Sequence, residues 1–186
     1  MNNANSSAKG FESQTATARP IVLVGLMGVG KTTVGRRLAN ALGVDFIDAD
    51  EEIERAADRS ISEIFAAHGE AYFRDGERRV IARLMEEGHG VIATGGGAFV
   101  DGETRAIVLE KGIAVWLDCD IDTLVERTAR KDTRPLLKTG DPRTILRDLK
   151  ELRSAAYAQA HIHIVTDDGP HEVTVERLLK ELSGWQ

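Results

Sequence analysis

Short apolar runs alternate along this chain with longer stretches in which apolar residues recur every three or four positions. The short runs predict strands that are buried on both faces, and the spacing of three or four predicts helices. We predict strands near residues 21–25, 44–48, 90–94, 113–118 and 162–166. Strands that alternate with helices are typical of an α/β fold, so the pattern predicts a five-stranded parallel sheet flanked by helices.

The helical stretches between these strands are long and amphipathic. They cover residues 31–42, 50–87, 102–112, 122–131, 143–160 and 171–182. Two other segments lack a period: residues 1–19 are polar and predict a flexible N-terminal tail, and residues 131–144, with two prolines and a glycine, predict a loop. The remaining residues, 20–186, are enough for a single domain around one core.

Composition narrows the class of partner. The formal net charge of the 186-residue chain is −6, which argues against a general nucleic-acid or acidic-membrane partner, because both require clustered positive charge. No apolar stretch approaches the roughly 20 residues of a membrane span. The one cysteine, Cys119, cannot form an internal disulfide, and a chain without disulfides suits a reducing compartment, so we expect a cytoplasmic protein.

The segment GLMGVGKTT, residues 25–33, lies between the first predicted strand and the first predicted helix. It matches GxxxxGK followed by Thr or Ser, a loop whose backbone N–H groups bind phosphate oxygens together with the helix N-terminus. We predict that a nucleoside triphosphate contacts Gly28, Val29, Gly30, Lys31, Thr32 and Thr33. Lys31 would reach the β- and γ-phosphates, and Thr32 would place its hydroxyl on Mg²⁺. The alternative is a plain glycine turn, but a chance match to this motif is rare.

The second predicted strand leads into FIDADEEI, where Asp48 and Asp50 are two residues apart. If the extended geometry continues, both carboxylates project from the same face, at the carboxyl ends of the strands and beside the phosphate loop. One carboxylate near Mg²⁺ and one near an acceptor hydroxyl would serve a kinase. From the residues alone, a simple helix start explains the two aspartates equally well, because Asp and Glu favour the first turns of helices.

Six segments of this chain, in order and approximate spacing, resemble shikimate kinases. They are GLMGVGKTT (25–33), FIDADEEIE (46–54), FRDGE (73–77), ATGGGAF (93–99), TRPLL (133–137) and the pair Arg153 and Tyr157. The resemblance implies a three-layer P-loop kinase fold, with a substrate-binding segment at about 49–80 and a mobile lid at about 129–143. It also implies transfer of the ATP γ-phosphoryl group, with Mg²⁺, to the 3-hydroxyl of shikimate.

The resemblance also implies roles for single residues. Asp50 would bind the acceptor hydroxyls and accept the proton of the attacking one, and Asp48 would hold Mg²⁺ through water. Arg74 would pair with the shikimate carboxylate, Glu77 would steady Arg74, and Arg153 would be the second carboxylate-binding arginine. From composition alone, Arg74 would instead be a solvated helix arginine.

The remaining implied roles concern the glycine run and the lid. The three glycines at 95–97 follow the third predicted strand, where missing side chains let a substrate approach the backbone closely. By resemblance, Arg127 packs near adenine and Arg134 approaches the transferring phosphoryl group, so Arg134 would be catalytic together with Lys31 and Asp50. The charges of the lid segment alone fit a solvated basic loop about equally well.

Two other classes of P-loop protein compete with this prediction. A nucleotide-hydrolysing regulatory module has no small acceptor, but the chain lacks the NKxD motif and the DxxG after the third strand that a GTP switch carries. A gluconate or nucleoside-monophosphate kinase is closer, and Arg74 with Arg153 favours an acceptor that bears a carboxylate. The expected partners are therefore shikimate and MgATP, without nucleic acid or membrane, and the expected state is a monomer.

Several other residues are predicted to be structural. Cys119 follows an apolar run, Asp118 ends the fourth predicted strand, and His161 and His163 alternate on the fifth without an evident Cys or carboxylate partner. We therefore predict no structural metal. In the last motif, Ser-Ala-Ala separates the arginine from the tyrosine where the family usually has a proline and a leucine, which leaves the local helix geometry open.

Overall fold

The computed structural model describes residues 19–129, 137 and 140–185. The strands are β1 (Ile21–Val24), β2 (Phe46–Asp48), β3 (Val91–Ala93), β4 (Ile113–Asp118) and β5 (Ile162–Val165). The helices are α1 (Lys31–Leu42), α2 (Ala49–Ala57), α3 (Ile61–Glu87), α4 (Gly102–Lys111), α5 (Ile121–Ala129), α6 (Pro142–Tyr157) and α7 (His171–Leu182). Short 3₁₀ turns cover Ala98–Val100 and Ser183–Trp185.

The described strands form one parallel sheet in the order β2-β3-β1-β4-β5. β1 lies at the centre, where Ile21 pairs with Val91 of β3 on one side and with Ile113 of β4 on the other. All residues of β1 are buried, because helices cover both faces of a parallel sheet. This arrangement confirms the predicted α/β fold with five parallel strands.

Strands β1 and β2 are shorter than predicted because the neighbouring loops extend into the predicted ranges. β1 ends at Val24, since Gly25 takes a φ of 135° and starts the phosphate loop. β2 begins only at Phe46, because the N–H of Val44 still donates to the carbonyl of Ala39 near the end of α1, at 3.0 Å. Both differences lie at strand ends and leave the sheet as predicted.

The helical stretch predicted over residues 50–87 is divided. α2 ends at Ala57 because Asp58 takes a left-handed φ of 50°. α3 then begins with a capping box, in which the side chains of Ser60 and Glu63 accept from each other's backbone N–H groups. Gly69, with φ 79° and ψ 179°, interrupts α3 again. Apolar spacing alone does not reveal these breaks, although Ser60 and Gly69 are ordinary start and stop signals.

The residues predicted to be structural lie where β4 meets its neighbours. The Asp118 carboxylate is 2.8 Å from Lys150 Nζ, which fixes α6 to the end of β4. The His163 ring stacks on Trp116, with 3.9 Å between ring centroids. Cys119 is buried, and burial raises the pKa of its thiol, which therefore stays protonated and unreactive. These contacts support structural roles for three of the four residues predicted to be structural, and the fourth, His161, accepts the N–H of Ala114 at 3.0 Å.

The start of the domain is tied to α4. Arg19, the last residue of the predicted tail, donates to the carbonyls of Leu109 at 3.1 Å and Glu110 at 2.8 Å. Residues 1–18 lie outside the described residues, so the prediction of a flexible tail stays a prediction. Across the described ranges, no helix has both the length and the apolar character needed to cross a membrane.

Candidate active site

Three segments with predicted site residues meet at one edge of the sheet. The phosphate loop follows β1, Asp48 ends β2, and the glycine run 95–97 follows β3. Because these strands are adjacent and parallel, their carboxyl ends open onto the same edge. The sheet order therefore brings the predicted phosphate-binding and acceptor-binding residues together.

The phosphate loop depends on left-handed glycines. Gly25, Gly28 and Gly30 have φ values of 135°, 83° and 101°. A Cβ at Gly25 would also lie 2.3 Å from the carbonyl oxygen of Leu117, so a larger residue fits neither the conformation nor the space. Gly30 is the N-cap of α1 and offers no side chain to the N–H groups of the first turn. Those N–H groups lack helical partners, so an anion can accept from them.

Lys31 and Thr32, the first residues of α1, contact the surrounding loops. Lys31 Nζ donates to the carbonyls of Gly25 at 2.8 Å and Leu26 at 2.9 Å, which keeps its charge on the phosphate loop. The Thr32 hydroxyl donates to Asp48 Oδ2 at 3.0 Å and so joins α1 to the end of β2. Hydroxyl and carboxylate oxygens are hard ligands of the kind that Mg²⁺ prefers, so this pair fits the predicted metal position.

The structure corrects the predicted geometry of the two aspartates. β2 ends at Asp48, and Asp50 lies in the first turn of α2, so the expectation that an extended chain aims both carboxylates is wrong. The alternative helix start is confirmed, because Asp48 caps α2 and accepts the N–H of Asp50 at 3.1 Å. The carboxylates remain neighbours: burial and the Asp48 charge raise the pKa of Asp50, while Lys31 opposes the rise.

Arg74 and Glu77 form the ion pair that their helical spacing permits. Arg74 Nη1 lies 2.6 Å from Glu77 Oε2, and Nη2 lies 3.4 Å from Glu70. The Glu77 side chain is 2% exposed, whereas that of Arg74 is 23% exposed, so the carboxylate is interior and the guanidinium reaches the site. Burial raises the pKa of Glu77, and the Arg74 guanidinium opposes the rise. The pair therefore gives Arg74 a fixed direction toward the glycine run.

Each of the three glycines lies against a different charged side chain. A Cβ added to Gly95 would lie 2.8 Å from Asp50 Oδ1. A Cβ added to Gly96 would lie 3.1 Å from Arg153 Nη1, and one added to Gly97 would lie 2.3 Å from Arg74 Nη2. None of the three glycines has a left-handed φ, so glycine is needed here for close approach and not for backbone conformation. Side chains from α2, α3 and α6 thus converge on one short backbone segment.

Arg153 reaches the glycine run from a regular helix. α6 is uninterrupted from Pro142 to Tyr157 and begins with Asp141 as its N-cap. The Ser-Ala-Ala sequence between Arg153 and Tyr157 is therefore helical, which answers the question that the missing proline and leucine raised. The guanidinium of Arg153 lies beside Gly96.

Arg127, near the end of α5, lies on another side of the phosphate loop. Its Nη1 is 3.4 Å from the carbonyl oxygen of Val29, and its Nη2 donates to the carbonyl of Asp167 at 2.6 Å. Arg127 thus connects the phosphate loop to the chain that follows β5. Arg134 and most of the predicted lid lie outside the described residues, so the roles expected of them stay predictions.

Two residues that support this site had no role in the sequence analysis. Tyr157 donates from its hydroxyl to the carbonyl of Gly96; the resemblance named the tyrosine but gave it no contact. Arg105, on α4, donates from Nη1 to the carbonyls of Phe99 and Val100, each at 3.0 Å. Nothing in the sequence distinguishes Arg105 from a solvated helix arginine.

Comparisons with known proteins identify the family of this chain. The family model described as shikimate kinase matches residues 27–183. A shikimate kinase of Novosphingobium aromaticivorans is 64% identical over 90% of this chain and 89% of its own length. A shikimate kinase of Caulobacter vibrioides is 60% identical over 89% of this chain and 82% of its own length.

Solved structures give the same result. A shikimate kinase from Acinetobacter baumannii in complex with shikimate has a TM-score of 0.87 and 39% identity, covering 92% of this chain and 96% of that one. A shikimate kinase from Aquifex aeolicus has a TM-score of 0.78 and 36% identity, covering 89% of this chain and 96% of that one. The chain therefore belongs to the shikimate kinase family and is an ATP-dependent phosphotransferase.

Proposed function

We propose that this chain transfers the γ-phosphoryl group of ATP to the 3-hydroxyl of shikimate, giving shikimate 3-phosphate and ADP, on the route to aromatic amino acids. The observation that carries the proposal is the convergence of one carboxylate and two guanidinium groups on residues 95–97, beside the phosphate loop. An acceptor with hydroxyls and a carboxylate needs groups of both kinds. The Acinetobacter baumannii relative was solved with shikimate bound, which supports the same acceptor here.

Arg74 and Arg153 would bind the acceptor carboxylate, and Gly95, Gly96 and Gly97 would let the acceptor ring lie against the backbone. A guanidinium can meet a carboxylate with two parallel hydrogen bonds, and two such groups also fix its orientation. Glu77 would act on the acceptor through Arg74, since Glu77 is buried and bonded to it. The Asp50 carboxylate on the acceptor side favours shikimate over a nucleoside monophosphate, because it accepts a hydrogen bond from a hydroxyl but repels a phosphate.

Asp50 would bind the acceptor hydroxyl and take its proton as the oxygen attacks. Its carboxylate lies against Gly95, between the phosphate loop and the arginines. Burial and Asp48 raise the pKa of Asp50, which makes it a stronger base than an ordinary aspartate. The nearby Lys31 charge favours the ionised form that can accept the proton.

The backbone N–H groups of residues 28–33 and the ammonium group of Lys31 would bind the triphosphate. Thr32 and Asp48 would hold Mg²⁺, which, when bound, neutralises charge on the phosphate oxygens. Arg127 would pack near adenine, and Arg134 would approach the transferring phosphoryl group as the lid closes. Lys31, Asp50 and Arg134 are thus the proposed catalytic residues.

We also propose a cytoplasmic monomer. A lone, buried cysteine suits a reducing compartment. No heptad pattern along the sequence indicates a coiled-coil partner.

The test of this function is ADP release from MgATP with shikimate, gluconate and AMP offered separately. We expect turnover with shikimate alone; equal turnover with gluconate or AMP would overturn the proposed acceptor. Arg74→Gln should raise the KM for shikimate at least about tenfold, because a charged hydrogen-bond pair is lost. Arg79→Gln is the matched control, since Arg79 lies on the same helix, is 69% exposed and pairs with Asp75.

A further inference from the structure

The hydroxyl of Tyr157 makes one contact that the proposed reaction does not use. Tyr157 is the last residue of α6 and is 1% exposed, and its hydroxyl donates to the carbonyl of Gly96. Its ring lies 5.8 Å from that of Trp116 between centroids, so the side chain is packed as well as bonded. Gly96 and Tyr157 are 61 positions apart in the sequence, so this hydrogen bond fixes the loop after β3 to the end of α6.

Gly96 is the point at which several parts of the site meet. A Cβ added there would lie 3.1 Å from Arg153 Nη1, 3.5 Å from the carbonyl oxygen of Gly25 and 3.6 Å from the N atom of Met27. Arg153 precedes Tyr157 by four positions, so the two side chains lie one above the other on the same face of α6. One helix therefore holds both the carbonyl of Gly96, through Tyr157, and the guanidinium beside it.

The other end of the same loop is tied to the chain just beyond α6. Arg105 Nη1 donates to the carbonyls of Phe99 and Val100, each at 3.0 Å, and its Nε donates to Gln159 Oε1 at 3.1 Å. Arg105 and Tyr157 thus bond the loop between β3 and α4 at separate carbonyls, and both bonds lead to the C-terminal end of α6. The loop cannot shift against Arg153 without breaking one of them.

We propose that Tyr157 is a positioning residue, which sets the direction of Arg153 toward the acceptor carboxylate by holding Gly96 against α6. This inference rests on the proposed role of Arg153 in binding shikimate. It assigns to the Tyr157 hydroxyl a larger effect on acceptor binding than on nucleotide binding, because Arg127, the residue proposed beside adenine, bonds Val29 and Asp167.

Tyr157 remains a hydrogen-bond donor throughout the working range of pH. Burial raises the pKa of the phenol, although the neighbouring Arg153 guanidinium opposes the rise. The effect of removing the hydroxyl should therefore be the same at pH 6.5 and at pH 8.5. A purely electrostatic effect on an ionising group would change with pH.

The first test is Tyr157→Phe, which removes the hydroxyl and keeps the ring. The KM for shikimate should rise about two- to tenfold, the equivalent of one neutral hydrogen bond, with kcat and the KM for ATP nearly unchanged. Thr166→Val is the matched control, because the buried Thr166 hydroxyl also donates to a carbonyl, that of Asp118 at 3.0 Å, away from residues 95–97. It should leave the KM for shikimate unchanged.

The second test is a double-mutant cycle of Tyr157→Phe with Arg153→Gln, read as the KM for shikimate. If Tyr157 acts through Arg153, the double variant should resemble Arg153→Gln alone, because the helix then has no guanidinium to aim. Arg105→Gln, which releases the loop at its other end, should repeat this non-additive behaviour and provides a second variant if Tyr157→Phe folds poorly.

The outcomes separate the two proposals. If Arg153→Gln leaves the KM for shikimate unchanged, the proposed role of Arg153 fails, and the inference fails with it. If Arg153→Gln raises the KM but Tyr157→Phe does not, or if the two effects multiply in the double variant, only the positioning role of Tyr157 is overturned. Equal rises in the KM for ATP and for shikimate would also overturn it, because they would indicate a general loss of structure.

Discussion

Gly97 and Arg74 are in contact so close that a Cβ on the glycine would lie 2.3 Å from Arg74 Nη2 and 2.7 Å from Cζ. Gly97 has φ −94°, a value open to any residue, so the contact itself requires glycine there. The ion pair with Glu77, 2.6 Å between Nη1 and Oε2, also holds the guanidinium beside the loop. The backbone at Gly97 and the carboxylate of Glu77 together position the Arg74 guanidinium.

Gly97→Ala should displace Arg74 and lower kcat/KM for shikimate by about 10- to 100-fold, because a misplacement of about 1 Å in a binding group has effects of that size. Initial rates at varied shikimate check this. Gly76→Ala is the control: Gly76 lies on α3 near Arg74, and an added Cβ meets nothing within 4 Å. Equal losses in both variants would contradict the role assigned to the contact.

Thr32→Val should lower kcat/KM for ATP at least about tenfold and raise the Mg²⁺ concentration needed for half-maximal rate, because it removes a metal-ligand oxygen. Thr32 is exposed, so its fold stability should change little. Thr32→Ser keeps the hydroxyl that bonds Asp48 and should retain most of the activity. A valine variant with the wild-type Mg²⁺ dependence would remove Thr32 from the metal site.

Asp50→Asn should lower turnover by about 10²- to 10⁴-fold and at the same time stabilise the fold at neutral pH. Burial and Asp48 raise the pKa of Asp50, so the ionised carboxylate costs folding free energy that a neutral amide does not. That cost appears as pH rises above the ordinary aspartate pKa of 3.8 and is complete above the raised pKa.

Thermal unfolding of the two proteins across pH measures this difference. At pH 7.5 the asparagine variant should have the higher melting temperature, because the ionised carboxylate of Asp50 destabilises the folded protein there. The two melting temperatures should converge below pH 4. Unaltered turnover of the variant would show that Asp50 has no role in phosphoryl transfer. A lower melting temperature at neutral pH would show that the charge of Asp50 does not destabilise the fold.

Gly35→Ala should destabilise the protein by about 1–3 kcal/mol, although alanine is the better helix former. Gly35 lies on α1, and an added Cβ would lie 2.5 Å from Cε2 of the Phe46 ring. Gly76→Ala, also within a helix, should instead stabilise by about 0.5–1 kcal/mol. Urea unfolding measures both; stabilisation by both substitutions would mean that helix propensity, and not packing, governs these positions.

The parts of the site that the sequence predicts are those whose chemistry is local. The phosphate loop needs glycines, a lysine and a threonine within one short segment, and helical spacing permits the Arg74–Glu77 contact that the resemblance implies. The aspartates were predicted as a pair, but the chain between them is helical because Asp48 caps α2. A capping bond and an extended continuation are equally compatible with the same residues.

The parts that the sequence does not predict depend on contacts between distant segments. The bond from Tyr157 to Gly96 joins positions 61 apart, and the three glycine contacts join the loop after β3 to α2, α3 and α6. Only the folded sheet, with β3 next to β1 and β2, makes these segments neighbours. For the same reason Arg105 cannot be distinguished in the sequence from arginines that face water.

The close approach at residues 95–97 also limits how this enzyme can evolve toward other acceptors. A side chain at position 97 that would reshape the pocket displaces the Arg74 guanidinium from its present position. Such a variant has lost the contribution of Arg74 to binding the present acceptor and has gained no contact with a new acceptor. A change of acceptor through position 97 therefore passes through a variant that binds the present acceptor more weakly.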